Sequence, residues 1–306
     1  MWLMRVLEDI GLGLVSFLLF LALLLLVLAF TLNLTVLNPQ FMGTAIGKLD
    51  VPSLAKRIAA ERLPPEDSAY LPAINDTIEE VKPWINQQTA YLVSGTYDYL
   101  LGKTNTFNLA ISTGPLKSSL VNNMIQAFMK SPPPEYLQLS AADQKRYAAQ
   151  LQQEYADSIP ATVVVDQYFI GRDAMQALQQ VKAIFGYIRT AYFGLIGLCV
   201  VLILLTILIL RQAKGVTRSL GIVLLISGAI SLLASFLLNK ALLSAIPLQE
   251  LPGSVRSWLP VFISDLINPY KILSLVTLII GIILLVLSLV VIRHRSAPSS
   301  PPTPAS

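Results

Sequence analysis

Four long stretches without an internal charge constrain this chain more than any other feature: 10–32, 188–210, 219–238 and 272–292, with Arg189 at the very start of the second. A hydrocarbon layer about 30 Å thick is crossed by roughly 20 helical residues, because without water every backbone N–H and C=O must be bonded inside the segment. Each stretch meets that length. The composition agrees, since only 13% of residues are charged, against roughly 25% in an average soluble domain. The expected fold class is a mainly α integral membrane protein with four transmembrane helices. The first stretch exceeds the roughly 7 to 15 apolar residues of a signal-peptide core, and no small-x-small cleavage site follows Ala29, so it reads as an uncleaved signal anchor.

Orientation follows from the basic residues, which are retained on the cytoplasmic side of short connections. Arg211, Lys214 and Arg218 stand between spans two and three with no acid beside them, and Arg293, His294 and Arg295 follow span four. These topology determinants place 211–218, the short N-terminus 1–9 (Arg5 offset by Glu8 and Asp9) and the tail 293–306 inside. Segments 33–187 and 239–271 then lie outside. The net charge of +4 is thereby a signal of topology: the basic residues gather at span ends and form no patch on a soluble domain, so no nucleic-acid partner is expected. The tail 296–306 is rich in Pro and Ser and reads as disordered.

The outer segment 33–187 is long enough to bury a core, and its periodicity is mostly helical. Leu54, Ile58 and Leu63 recur at helical spacing until Pro64-Pro65. Asp67 offers an N-cap for the run Leu71, Ile74, Ile78 and Val81, with the Glu66-Asp67 charge suited to a helix start. Pro83 either kinks that run or restarts it, and Gly102 suits a helix end. Between Thr104 and Thr113 the period changes to two, with Phe107, Leu109 and Ile111 alternating against Asn108, Ala110 and Ser112 as a half-buried strand requires, and Thr162–Val165 is a second candidate, together forming one small β-ribbon. Pro115–Met129 is helical, Pro132-Pro133-Pro134 must be extended, and Ser140 with Asp143 starts another helix. From Arg172 the helical pattern enters span two without a proline. A single rod of nearly 40 residues would project roughly 20 Å beyond the bilayer at 1.5 Å per residue. In 239–271, Pro260 divides an amphipathic segment whose Trp258 and Tyr270 would act as interfacial anchors at headgroup depth.

Chemistry is scarce. One Cys and one His leave no disulfide framework, no Cys/His zinc site and no Cys-His or Ser-His-Asp unit within the chain. Phosphate loops, GxSxG, HExxH and EF-hand patterns are missing. Asp76, Glu79 and Glu80 share one helical stretch without a partner pair and read as a solvated face. Trp84, Tyr91, Tyr97 and Tyr99 are either core or the lining of an apolar ligand pocket. Small residues recur in span two (Gly186, Thr190, Gly194, with Gly197 beside them) and span three (Ser227, Ser231, Ser235), as helix-packing seams within the four-helix bundle or as a dimer interface or gate. Cys199 reads as an inert membrane-buried thiol. The sequons at Asn33 and Asn75 are short enough to arise by chance, and the absence of cysteine from the outer segment favours a prokaryotic cytoplasmic membrane.

In layout alone, one span, a large outer domain and three further spans resembles the permease subunits of four-span ABC systems, which transmit force to outer-surface partners. The layout is also similar to that of claudin-like proteins, whose outer-loop Trp and paired Cys pattern this chain lacks. The expectation is a non-enzymatic multi-pass protein, without cofactor or metal, whose outer helical domain binds or scaffolds a protein, lipid or envelope component. Its partners would be the lipid bilayer, other membrane or envelope proteins, or a second copy. A subunit of a transport complex is the alternative, and a membrane enzyme comes third.

Overall fold

Helix α1 (Trp2–Leu34) leads into α2 (Pro39–Gly47), α3 (Val51–Arg62), a 3-10 turn at Pro65–Tyr70, α4 (Leu71–Glu80) and α5 (Lys82–Leu100). After β1 (Asn108–Ser112) come α6 (Gly114–Lys130), the single turn α7 (Pro134–Leu137), α8 (Ala141–Ser158), β2 (Thr162–Asp166) and the short α9 (Gln167–Ile170). Three long helices follow: α10 (Arg172–Leu210), α11 (Ala213–Ala245) and, after a 3-10 turn at Leu248–Glu250, α12 (Gly253–His294). This computed structural model describes residues 2–294, with side chains over 10–65, 67–249 and 251–289. Arg295 and the rest of the tail lie outside the described residues, as do the side chains of Arg5, Glu8, Asp9, Glu66 and Arg293. Among the described residues four helices are long and apolar enough to cross a membrane, at Ile10–Leu34, Arg172–Leu210, Ala213–Ala245 and Gly253–Leu289.

Two compact units emerge, one comprising Met1–Asn38, Gly186–Ile246 and Pro260–Ser306, the other Pro39–Phe185 and Pro247–Leu259. The second unit is built from short amphipathic helices. Asp50 caps α3 by accepting from the Ser53 N–H at 3.2 Å and the Ser53 hydroxyl at 2.5 Å, and Pro52 suits the first turn because it has no N–H to lose. A Lys56–Glu79 ion pair at 2.5 Å ties α3 to α4. Asn123 on α6 donates to Thr77 Oγ1 at 3.0 Å and Glu80 Oε2 at 3.2 Å on α4, so its buried amide is satisfied across the helix pair. Phe128, Tyr136 and Tyr147 stack with ring centroids 5.0 to 5.9 Å apart and hold the proline stretch between α6 and α8.

The Ser53 hydroxyl, and then its amide, hold the Asp50 carboxyl below its ordinary value. A carboxylate stabilised in the folded state contributes stability above its unfolded value and loses it as pH falls through the folded one. Asp50→Ala is therefore expected to cost about 1 kcal/mol at neutral pH. The deficit, read by denaturant unfolding of detergent-solubilised protein, should vanish at the acid end of the carboxylate range. A deficit that persists there would mean that the side chain packs rather than caps.

β1 and β2 form the expected ribbon, antiparallel, in a register that pairs Asn108 with Asp166 and Ser112 with Thr162. Leu109 is buried while its neighbours Asn108 and Ala110 are exposed, as alternation requires. Gly95 on α5 faces Leu109, and a Cβ there would collide with that side chain. The ribbon's end is fastened by Trp84 Nε1 donating to the Ser112 carbonyl at 3.1 Å and by the Thr113 N–H donating to Ala161 at 3.1 Å.

Two local expectations are corrected. Asp67 does not cap α4: the 3-10 turn nucleated at Pro64-Pro65 absorbs it, the cap position is Tyr70, and no side chain bonds there. Pro72, near the start of α4, has no N–H for a cap to satisfy. Nor does Pro260 divide its segment, since α12 continues through both Pro260 and Pro269. Each proline removes one helix bond, yet Ile263, Ile267 and Tyr270 recur at helical spacing and are all buried, so packing of that face holds the helix.

In the first unit Leu19 and Ala22 of α1 pack with Cys199 and Leu202 of α10 and Val223 of α11. Helices α11 and α12 approach through glycine. A Cβ on Gly228 would stand 2.6 Å from the Leu278 amide nitrogen, and one on Gly281 2.5 Å from that of Leu225. Backbone fills the space where a side chain would be.

Candidate functional site

The corner between β2 and α10 is the most sharply presented feature of the second unit. The Asp166 carboxylate accepts the N–H groups of Tyr168 at 2.9 Å and Phe169 at 3.0 Å, which winds α9 into a turn. Gly171 then adopts φ +82°, a conformation costly for any side chain, and redirects the backbone into α10. This geometry leaves Tyr168 85% and Phe169 64% exposed. Beside them lies an open hollow of about 600 Å³ lined by Gln167, Tyr168, Arg172, Met175, Gln176 and Gln179. Its chemistry is one guanidinium, three primary amides and a phenol. Such groups bind polar or anionic matter, and the lining contains no carboxylate, imidazole or thiol to move a proton near neutral pH.

The four aromatic residues singled out above stand in different surroundings. Trp84 is committed to the β-ribbon. Tyr97 and Tyr99 are buried, facing Phe185 at 5.9 Å and Phe107 at 5.7 Å respectively, with Lys182 Nζ 3.9 Å from the Tyr99 ring. Burial pushes the Tyr97 phenol up to about 12. Tyr91 is exposed. Trp84, Tyr97 and Tyr99 thus form core and strand support while Tyr91 stays at the surface, because their spacing along α5 places the four on more than one face.

The small-residue seams divide. Ser227, Ser231 and Ser235 are buried on α11, the first and last donating to the carbonyls of Leu224 at 3.1 Å and Leu232 at 2.6 Å. On α10, by contrast, Gly186, Thr190 and Gly194 are exposed, and nothing lies within 4 Å of a Cβ built on Gly186, Gly194 or Gly197. Expected packing of that seam within the bundle is corrected: the buried face of α10 is the one carrying Cys199, Leu202 and Thr206. The Trp258 indole N–H donates to the Ala45 carbonyl at 2.7 Å, and Tyr270 is only 7% exposed. Arg256 braces the same stretch by donating to the carbonyls of Leu248 at 3.0 Å and Gln249 at 2.6 Å.

The link from α10 to α11 is only Arg211 and Gln212, so Lys214 and Arg218 lie within α11 itself. The sequon residue Asn75 sits in α4 with its amide oxygen buried and accepting no hydrogen bond. Among the described residues no group of three or more His, Cys, Asp or Glu stands together as a metal site. No family model matches the chain, and neither does any curated protein or solved structure. Sequence reasoning missed the 167–179 corner, although Asp166 as a helix cap and Gly171 before a long helix were both visible signals.

Proposed function

We propose that this is a multi-pass protein of a prokaryotic cytoplasmic membrane. Its termini are cytoplasmic, and its helical region 33–187 stands outside as a non-enzymatic binding or scaffolding domain. Four apolar helices support the membrane reading. Lys214 and Arg218 support the orientation: cations in the first turns of a helix oppose its macrodipole, so helix energetics does not account for them, whereas retention on the cytoplasmic side does. The observation that carries the binding role is the 167–179 corner, where two exposed aromatic side chains flank a hollow of hydrogen-bonding groups and one cation. Aromatic residues with an arginine are the usual anchors of a protein interface.

The second reading, a subunit of a transport complex, is favoured by the unbroken 39 residues of α10, which would link an outer partner to the spans. Mild crosslinking in the native membrane, followed by purification and mass spectrometry, separates the two. The binding role expects an extracytoplasmic molecule crosslinked through 167–179, with its yield falling at least several-fold for Tyr168→Ser with Phe169→Ser. A stoichiometric ATPase would make the transport reading the correct one. Recovery of the chain alone or only with itself would remove that reading, and a yield insensitive to the double variant would move the binding surface elsewhere.

A further inference from the structure

The bundle of the first unit is not filled. Side chains from all four long helices, among them Leu26 and Phe30 of α1, Tyr192 and Ile196 of α10, Leu224 of α11 and Thr277 of α12, line an open hollow of about 300 Å³. No charged side chain lines it. Thr277 spends its hydroxyl on the Leu273 carbonyl at 2.8 Å, and the Phe30 ring lies 6.0 Å from that of Tyr192. A second apolar hollow, of about 470 Å³, lies between α1 and α10 along Leu25, Leu28, Ala29 and Gly194. By helical periodicity this is the opposite face of α1. The α1–α10 pair is thus loosely joined on both of its sides.

We infer that the inner hollow is a binding site for one hydrocarbon chain, the acyl chain of a membrane phospholipid that enters sideways between α1 and α10. The inference rests on the reading that the four helices span a bilayer. Polarity and size select the occupant. Buried water needs two to four polar partners, and this lining has little beyond the Tyr192 phenol to provide them. Leaving the space empty forfeits packing around its whole wall. A helix from a second copy is about 10–12 Å across and is too wide for a hollow of about 300 Å³. A single extended hydrocarbon chain meets both limits, and the surrounding bilayer supplies it. The glycines of the α10 seam, with nothing within 4 Å of their Cβ positions, leave room for the chain to pass.

The full-length protein, reconstituted in vesicles of phosphatidylethanolamine and phosphatidylglycerol containing a phospholipid with a photoactivatable diazirine in its acyl chain, provides the test. Label is expected on inward positions Tyr192, Leu224 and Thr277 as well as on the outward Leu208 and Leu237. Leu26→Trp should fill the hollow and reduce inward label at least five-fold while outward label stays constant. Thr277→Phe provides the same test by a smaller change should the tryptophan variant fail to fold. Label confined to outward positions would overturn the site, as would inward label unchanged by a folded filling variant or crosslinks from inward positions to a second copy. Absence of label from Leu208 and Leu237 as well would overturn the membrane reading itself, and this inference with it.

Discussion

The Ala149→Cys variant is expected to react with a membrane-impermeant maleimide on intact cells, and Ala213→Cys only after the membrane is opened. Both alanines are exposed, one on α8 and the other as the first residue of α11, so access depends on the side of the membrane and not on burial in the fold. The background is low because the sole native thiol, Cys199, is buried in the bundle core. The contrast should be close to all or none, since the bilayer itself is the barrier. The physical basis is the distribution of cations: Arg211, Lys214 and Arg218 cluster around the two-residue link between α10 and α11, and the insertion machinery holds such clusters inside. The opposite pattern would invert every side assignment in the proposed topology. Reaction of both variants on sealed cells would remove the spanning arrangement altogether.

Much of the fold was legible because the relevant signals are local. The apolar stretches report helices long enough to cross a membrane through length alone, and α3, α6 and α8 announce themselves by 3.6-residue periodicity, α3 with Asp50 and α8 with Ser140 at the start. Alternation at Phe107–Ser112 located β1, and the run of β-branched residues after Ala161 located its partner. Where the reading departed from the structure, a non-local term decided. Pro260 looks like a break until Ile263, Ile267 and Tyr270 are seen buried along the same helix face. That the Trp258 N–H donates to the Ala45 carbonyl, more than 200 positions away in the chain, is likewise invisible in the sequence. The aromatic quartet of α5 could not be assigned to core or pocket without Phe107, β1 and Phe185. Of the candidate site, Asp166 and Gly171 were legible as a cap and a turn, but the exposure of Tyr168 and Phe169 was not, because no sequence pattern reports which aromatic side chains lack a neighbour.

The glycine seams give the sharpest contrast in stability. Gly221 and Gly228 are seven residues apart, two helical turns, and so share one face of α11; Gly281 meets that face from α12. The atoms that a new Cβ would strike there are backbone: the Leu278 nitrogen at 2.6 Å from Gly228 and the Leu225 nitrogen at 2.5 Å from Gly281. A flexible side chain can rotate away from an intruding methyl group, but a helix backbone can yield only by moving the whole helix. Overpacking in a core costs about 1–3 kcal/mol, and Gly228→Val or Gly281→Val is expected at or above the top of that range, roughly 3 kcal/mol or more. Gly194→Ala on α10 has open space around its Cβ and replaces a poor helix former, so it should be neutral or gain up to about 1 kcal/mol. Unfolding of the purified protein in mixed micelles reads both. Wild-type stability in Gly228→Val would mean that α11 and α12 do not meet through this seam. Loss of stability in Gly194→Ala would show that another helix covers the α10 face, and a second copy is the first candidate for that helix.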